Sequence, residues 1–426
     1  MTLEARPHGR SLWALDWLNV LVADVRTGVG PYLAIYLQAS RHWNPAHIGL
    51  AMSAMGIASV AAQTPAGALT DRLRQKRWTL VAASVVIAIG CLGMVMRPSL
   101  SGVIAAQALI GSTATIFPAS IAAITLGLVG PPKLAGRMGR NEACNHAGNV
   151  AAALLAGLIG YYIAQEGIFY LVVALSGATI VAVFLIREDD IDHLQARGAR
   201  EESVGVHISG LGELLANRNI AIFALAAVLF HFANAAMLPL LGQRLSVGHD
   251  HGSSLYMSAC IIVAQLVMVP VATWAGRLAG TYGRKPVFML GFSVLPVRGV
   301  LYTLSGNPYV LVSIQLLDGI GAGVFGVLSV LVVADLTRGT GRFNITNGAI
   351  STATGIGAAL SNAVSGVIVQ YAGYNGAFLT LAGIAAVAAL WFGLAMPETQ
   401  GDSVTVQHRT VAEMSACQRV AEYGTP

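Results

Sequence analysis

The sequence predicts an all-α membrane protein whose twelve transmembrane helices form two similar six-helix bundles. Three observations lead there. The chain of 426 residues is 55% hydrophobic and only 11% charged, less than half of the roughly 25% that covers an ordinary soluble domain. Its apolar residues gather in stretches of about the 20 residues that a helix needs to cross a hydrocarbon layer. The turns between those stretches carry their basic residues almost entirely on one side.

The stretches lie near 13–38, 47–70, 78–96, 101–128, 142–165 and 167–186, and again near 219–243, 253–276, 286–304, 308–334, 343–371 and 375–396. Helix is expected for each, because an isolated strand leaves its backbone groups unsatisfied in lipid. The run that follows residues 1–12 has no small-residue cleavage site, so it is expected to stay as the first span. The 48 glycines suit helices in close approach, and pairs such as Gly319 and Gly323 are expected to be packing sites. The one long polar interior segment, 188–218, divides the chain into an N-terminal bundle at 13–187 and a C-terminal bundle at 219–397. A polar tail covers 398–426.

Charge supports the count. With both termini on one side, that side receives twenty of the 25 Lys and Arg residues. The other side receives Arg41, Arg97 and Arg244, while Arg26 and Arg298 fall inside spans. Basic residues favour the cytoplasmic face, so the reading is a multi-pass protein of the cytoplasmic (inner) membrane with both termini in the cytoplasm. The asymmetry also accounts for the abrupt "GALTDRLRQKR" at 67–77 as a short cytoplasmic turn between spans 2 and 3.

The two halves repeat at an offset near 208. Pro31 matches Pro239, and "QALIG" at 107–111 matches "QLLDG" at 315–319. "GALTDRLRQK" at 67–76 matches "GRLAGTYGRK" at 276–285 with a shift of one, and "RNEACN" at 140–145 meets "RFNITN" at 342–347. Parallel repeats of this kind place a solute site between the halves near the midplane, with one half rocking against the other.

The twelve-span plan, the six-six division and the turn after span 2 together resemble the major facilitator superfamily of secondary transporters, over about 13–397. That family's turn reads Gly-x-Leu-Ala-Asp-Arg-x-Gly-Arg-Lys. Gly67, Leu69, Asp71, Arg72 and Lys76 fit it, and Arg74 replaces its second Gly. The second half keeps Gly276, Leu278, Gly283, Arg284 and Lys285, with Gly280 in place of the acid. The resemblance implies a cytoplasmic latch at these residues; a plain basic loop is the alternative. It further implies a secondary active transporter of a small organic or drug-like solute by alternating access, with efflux as the leading direction. An uptake symporter and a membrane sensor that moves nothing remain open. Proton coupling is in question, because Gln107 stands where the family's drug-exporting branch carries Arg, and "GNVAAALLAGLIGYY" lacks that branch's Gly-Pro motif.

Ionisable groups within a span cost at least about 2.5 kcal/mol on insertion scales and need a reason. Asp24 and Arg26 lie near the centre of span 1, on nearly opposite sides, just before "TGVGP", which can loosen the helix. Asp24 is a candidate for a proton or cationic group and Arg26 for an anionic one; a structural ion pair with another span is the alternative. Arg298 and Asp318 lie at depths matching within about 3 Å on spans 9 and 10, either neutralising each other or serving a gate. His231, mid-span 7, titrates in the physiological range as a type and is either a coupling residue or a core histidine. Asn234, aligned with Arg26, is expected to share the cavity. His146, Asn149, Asn145 and Glu142 read as the wall of an inner vestibule or as helix–helix bonds. Gln107 and Gln315 are matched in the repeat and suit either solute or neighbouring helices.

Several classes are excluded. No Gly-x-x-x-x-Gly-Lys loop offers an ATP site, and no Ser-His-Asp order or metal-binding His/Cys cluster stands out. No cofactor, no metal and no enzyme activity are therefore expected. The formal charge of +5 forms no continuous basic face for nucleic acid. The expected partners are a small-molecule solute, the lipid bilayer and, if transport is coupled to them, protons. The chain is expected to act as a monomer.

Overall fold

The computed structural model describes residues 9–72, 75–192, 217–247, 252–338 and 343–400. Among these, ten helices are long and apolar enough to cross a membrane. Two further passes complete the expected twelve. The Phe343–Ala395 helix is interrupted at Gly373, whose φ of 69° is not helical, so it makes spans 11 and 12. Span 1 is built from Gly9–Val25, a turn, Tyr32–Ile35 and a π-helical Tyr36–Ser40, none long enough alone.

The other spans are Pro45–Arg72 (2), Lys76–Met96 (3), Leu100–Gly130 (4), Gly136–Tyr162 (5), Gly167–Leu185 (6), Arg218–Ser246 (7), Ser253–Tyr282 (8), Arg284–Leu304 (9) and Pro308–Leu336 (10). The break in span 1 falls on the "TGVGP" stretch, where Gly28 and Gly30 take φ of 59° and 52°, a region cheap only for glycine. One expectation changes. The basic stretch before residue 142 is no open loop: helix runs almost unbroken from Ile116 to Tyr162, bent at Gly130. Arg137 and Arg140 thus sit on the first turns of span 5, held by the same ladder of hydrogen bonds.

The apolar interior divides in two. One core is formed by spans 1–6, including Leu15, Leu18, Ile87, Phe117 and Phe169. The other is formed by spans 7–12 and is aromatic, with Phe223, Phe230, Phe288, Phe292, Phe325 and Phe392 in edge and stacked contacts. The repeat seen in sequence recurs as close helix approach. A Cβ on Gly111 of span 4 would come within 2.1 Å of the Met55 carbonyl of span 2, and one on Gly319 of span 10 within 2.5 Å of the Ala264 carbonyl of span 8. Gly148 of span 5 meets the Val20 carbonyl of span 1 at 2.1 Å, and Gly357 of span 11 meets the Val228 carbonyl of span 7 at 2.2 Å. Both pairs of contacts repeat at the sequence offset.

Exposed aromatic residues mark the two ends of the bundle. Trp13, Trp17, Trp78 and Tyr282 ring the end that carries the chain termini, and Tyr161, Tyr162, Tyr309 and Tyr371 ring the opposite end, as expected for interfacial belts.

Because Gly148 has the Val20 backbone and the short Ala23 side chain against it, Gly148→Leu has no room to relax. Overpacking of this kind costs about 1–3 kcal/mol. The variant is expected to melt several degrees lower than wild type in detergent, whereas Gly177→Leu, with nothing near its missing Cβ, is expected to melt as wild type.

Candidate functional site

The two bundles meet along two long seams, one between spans 5 and 8 and the other between spans 2 and 11, and spans 1 and 7 also touch where Gly242 faces Ile35. At the end opposite the termini both seams are tight. Gly157 and Gly160 lie against Ser258 and Ser254, and Gly49 and Gly56 lie against Asn362, Gly366 and Ala359. Around the first seam the Tyr32 hydroxyl lies 2.7 Å from the Ser258 hydroxyl. Ser258 donates to the Ala153 carbonyl at 2.6 Å, and Ser254 to Gln165 Oε1 at 2.9 Å. Tyr32 is on span 1, so three spans join here.

Toward the terminal end the seams part. A cavity of about 720 Å³ opens between spans 5 and 8, and one of about 430 Å³ lies among spans 2, 4 and 11, with Ser59, Gln63 and Thr115 on its wall. At the apex of the first, His146 Nδ1 lies 2.8 Å from Gln265 Oε1, so the ring N–H donates across the seam.

The residues singled out from sequence fall into separate groups. Arg298, Asp318 and Asn234 come together inside the C-terminal bundle. Arg298 forms an ion pair with Asp318 and donates to Asn234 Oδ1 at 2.6 Å, and its side chain is 3% exposed. Gln315 donates to the Tyr302 hydroxyl at 2.8 Å nearby. His231 is not in this cluster. Its Nδ1 donates to the Ala227 carbonyl at 3.1 Å, and its ring packs on Phe230 and Phe325. Asn149 donates to Asn145 Oδ1 at 3.2 Å, and Gln107 is buried.

Asp24 and Arg26 stand apart. Among the described residues, neither the Asp24 carboxylate nor the Arg26 guanidinium has a hydrogen-bond or ion-pair partner; only the Asp24 carbonyl is used, by the Thr27 hydroxyl. Asp24 lies on span 1, the span that also carries Tyr32.

In the turn after span 2, the side chains of Gly67, Asp71 and Arg72 lie outside the described residues, and Lys76 is buried at the start of span 3. The matching turn between spans 8 and 9 is fully described. Gly276 packs loosely on Val327, and Gly283 takes a φ of 97°. Arg284 pairs with Asp335 at 3.0 Å, and Asp335 also pairs with Arg338 at 2.9 Å. Glu398, just past span 12, caps this turn by accepting from the backbone N–H groups of Arg284 and Lys285 at 2.9 and 3.0 Å.

Sequence reading missed several participants. Asp16 of span 1 takes both Arg137 and Arg140 of span 5, at 2.6 and 2.7 Å. Gln265, a single amide within "IIVAQLVMV", carried a signal. Tyr32, Ser258 and Glu398 carried none, because their roles depend on which helices meet.

The comparisons with known proteins agree with this architecture. The family model for the Major Facilitator Superfamily matches residues 17–279 and 246–415. A Mycobacterium tuberculosis (strain ATCC 25618 / H37Rv) protein called MFS-type transporter Rv2456c is 49% identical over 399 residues, 93% of this chain and 95% of that one. The methylenomycin A resistance protein of Bacillus subtilis (strain 168) is 34% identical over 117 residues, 26% of this chain and 24% of that one. The crystal structure of nucleoside transporter NupG shares the fold, with a TM-score of 0.73 at 18% identity over 89% of this chain and 98% of that chain. A mutant form of the same transporter superposes with a TM-score of 0.77 over the same shares.

The charged clusters can be tested by melting. Asp318→Asn leaves Arg298 buried without its counter-charge, and breaking a buried pair costs about 3–5 kcal/mol. A large fall in thermal midpoint is expected, with much of it recovered in the double variant Arg298→Met/Asp318→Asn; equal melting of the two would refute the pairing. At Glu398, partial burial pushes the carboxyl up, but four backbone N–H donors, from Arg284, Lys285, Thr399 and Gln400, outweigh it and hold it below its ordinary value. Its contribution is therefore complete above the ordinary carboxylate range and is lost as pH falls through the lowered folded value. Glu398→Gln should flatten this acid-side decline in melting temperature, by well under ~1 kcal/mol since the group is exposed.

Proposed function

The chain belongs to the major facilitator superfamily, and on that premise we propose that it is a secondary active transporter. It moves a small organic, drug-like solute outward across the cytoplasmic membrane by alternating access, and Asp24 carries the coupling proton. The observation that carries this reading is the pair of seams, tight at one end and parted at the other. Every ion pair among the described residues lies within one bundle: Asp16 with Arg137 and Arg140, Arg41 with Glu166, Arg77 with Glu188, Arg298 with Asp318, and Asp335 with Arg284 and Arg338. Bundle-to-bundle bonds are neutral, at Tyr32–Ser258, Ser258–Ala153, Ser254–Gln165 and His146–Gln265. A neutral hydrogen bond contributes only about 0.5–1.5 kcal/mol net. Two stiff bodies joined by a few such bonds suit a rocking exchange between two states.

The basic excess at the terminal end favours that end as cytoplasmic, so the parted end faces the cytoplasm and collects solute there. Asp24 suits proton coupling because, among the described residues, its carboxylate has no fixed counter-charge and it lies on the same span as Tyr32, a member of the seam. Gain or loss of its charge alters the field within span 1, which joins the other bundle at Tyr32. Outward movement is favoured by the resistance named for the Bacillus subtilis relative; the nucleoside transporter of similar fold keeps uptake as the second reading.

The test uses purified protein in liposomes with an imposed pH gradient and a panel of toxic organic compounds and nucleosides. Solute flux with counter-movement of protons is expected, and Asp24→Asn should abolish its dependence on the gradient. Co-movement of protons would establish uptake instead. Unchanged flux and pH response in Asp24→Asn would remove Asp24 from the coupling, and binding without flux would identify a sensor.

A further inference from the structure

The cavity between spans 5 and 8 has an unusual wall. Part of it faces across the seam, at His146 and Gln265. The rest comes from the outer surface of the bundle: Ala147 and Ala151 on span 5, and Leu266 and Val269 on span 8. Successive helix residues are turned by about 100°, so His146 and Ala147 look in distinct directions, one into the seam and one outward. Leu266 and Val269 are 63% and 48% exposed. In a bilayer that outward surface meets acyl chains. The cavity is thus a window in the side of the molecule, apolar at its mouth, on the half nearer the chain termini.

One charged group, itself exposed, stands on its wall. Glu142 lies four residues before His146, on the same stripe of span 5, and lines the cavity. Among the described residues its carboxylate has no hydrogen bond or ion pair. The neighbouring bases do not neutralise it, since Arg137 and Arg140 are both committed to Asp16 and His146 is engaged with Gln265. Pro270, also on the wall, lacks the N–H that would bind the Leu266 carbonyl within the helix. That leaves an additional partial negative charge at the same level.

We propose that this window admits amphipathic organic cations from the leaflet nearer the termini. The apolar body lies against Leu266 and Val269, and the cationic centre rests at Glu142. Apolar contact drives partition into the mouth, while the exposed Glu142 carboxylate attracts a centre of opposite charge. The assignment rests on the alternating-access reading for what happens after binding, and it names the solute class; the binding step itself can be measured without transport.

Tetraphenylphosphonium and tetraphenylborate have the same shape and opposite charge. Their binding to the full chain in phosphatidylcholine nanodiscs, measured by equilibrium dialysis, separates charge from greasiness. Saturable binding of the phosphonium is expected, at least tenfold tighter than that of the borate. Glu142→Gln should weaken it about tenfold and Glu142→Asp should keep most of it. Ala147→Trp, which narrows the mouth without touching the carboxylate, should also weaken it. Equal binding of the two ions, or wild-type binding by Glu142→Gln, would overturn the cation site. Wild-type binding by Ala147→Trp would overturn the lateral route. Phosphonium binding that obeys these rules in a protein giving no liposome flux would support the window while defeating the carrier reading. Co-purified phosphatidylethanolamine that is lost in Glu142→Gln, with no phosphonium binding, would assign the window to lipid and overturn the solute proposal.

Discussion

Among the described residues, ion pairs are kept within the bundles, and the hydrogen bonds between the bundles are neutral. An ion pair buried in apolar surroundings is costly to break, so each charged contact ties spans of one bundle into a single body. Asp16 joins spans 1 and 5, Asp335 joins spans 9 and 10, and Arg298 reaches both Asp318 and Asn234 on spans 10 and 7. Across the seams the chain uses Gly, Ala and Ser, with a few neutral hydrogen bonds. Small residues let backbones approach closely and gain dispersion contacts. Those contacts vanish smoothly on separation and leave no stranded charge. The alternating access proposed above is better served by that arrangement than by salt bridges.

Glycine performs two separate tasks in this plan. Gly111, Gly148, Gly319 and Gly357 bring spans together inside a bundle, against carbonyl oxygens that cannot move aside. Gly49, Gly56, Gly157 and Gly160 bring the bundles together at the end opposite the termini, where Gly157 and Gly160 face serine hydroxyls. The first group is under constant demand. On the alternating-access proposal the second is under demand only while that end is closed, and its serine partners supply hydrogen bonds that water can replace once the end opens.

Much of the fold was legible in sequence because hydropathy and basic turns report directly on lipid and its surfaces. The broken helix at "TGVGP" was legible too, since Gly28 and Gly30 take conformations that other residues resist. The helical start of span 5 was not. The basic stretch "GRMGR" falls between the expected spans 4 and 5, yet Arg137 and Arg140 lie in regular helix and pair with Asp16 near the end of another span. The helices are apolar nearly all round, so period could not tell which way His231 points. The aromatic core of the second bundle decides it, through Phe230 and Phe325. The seam residues Tyr32, Ser258 and Gln265 were beyond reach for a further reason: they are defined by the relation of two bundles, which no local pattern encodes.

The repeat explains why the polar groups of the two halves differ in kind. At an offset of 208, Arg298 corresponds to Gly90, Asp318 to Ile110 and Asn234 to Arg26. In the second bundle these three positions form a closed polar cluster. In the first, a Cβ on Gly90 would come within 2.8 Å of the Ile110 side chain, which also packs on Gly28. An apolar contact thus occupies the place of the ion pair. Arg26 holds the position of Asn234 while the groups that would bind it there are gone, and Asp24 enters one half-turn earlier with no counter-charge of its own. The backbone contacts were kept through the repeat because both bundles need to be rigid. The polar partners were not: at mid-span the second bundle pairs its charges, whereas in the first, among the described residues, Asp24 and Arg26 have no hydrogen-bond or ion-pair partner and are held at an energetic cost.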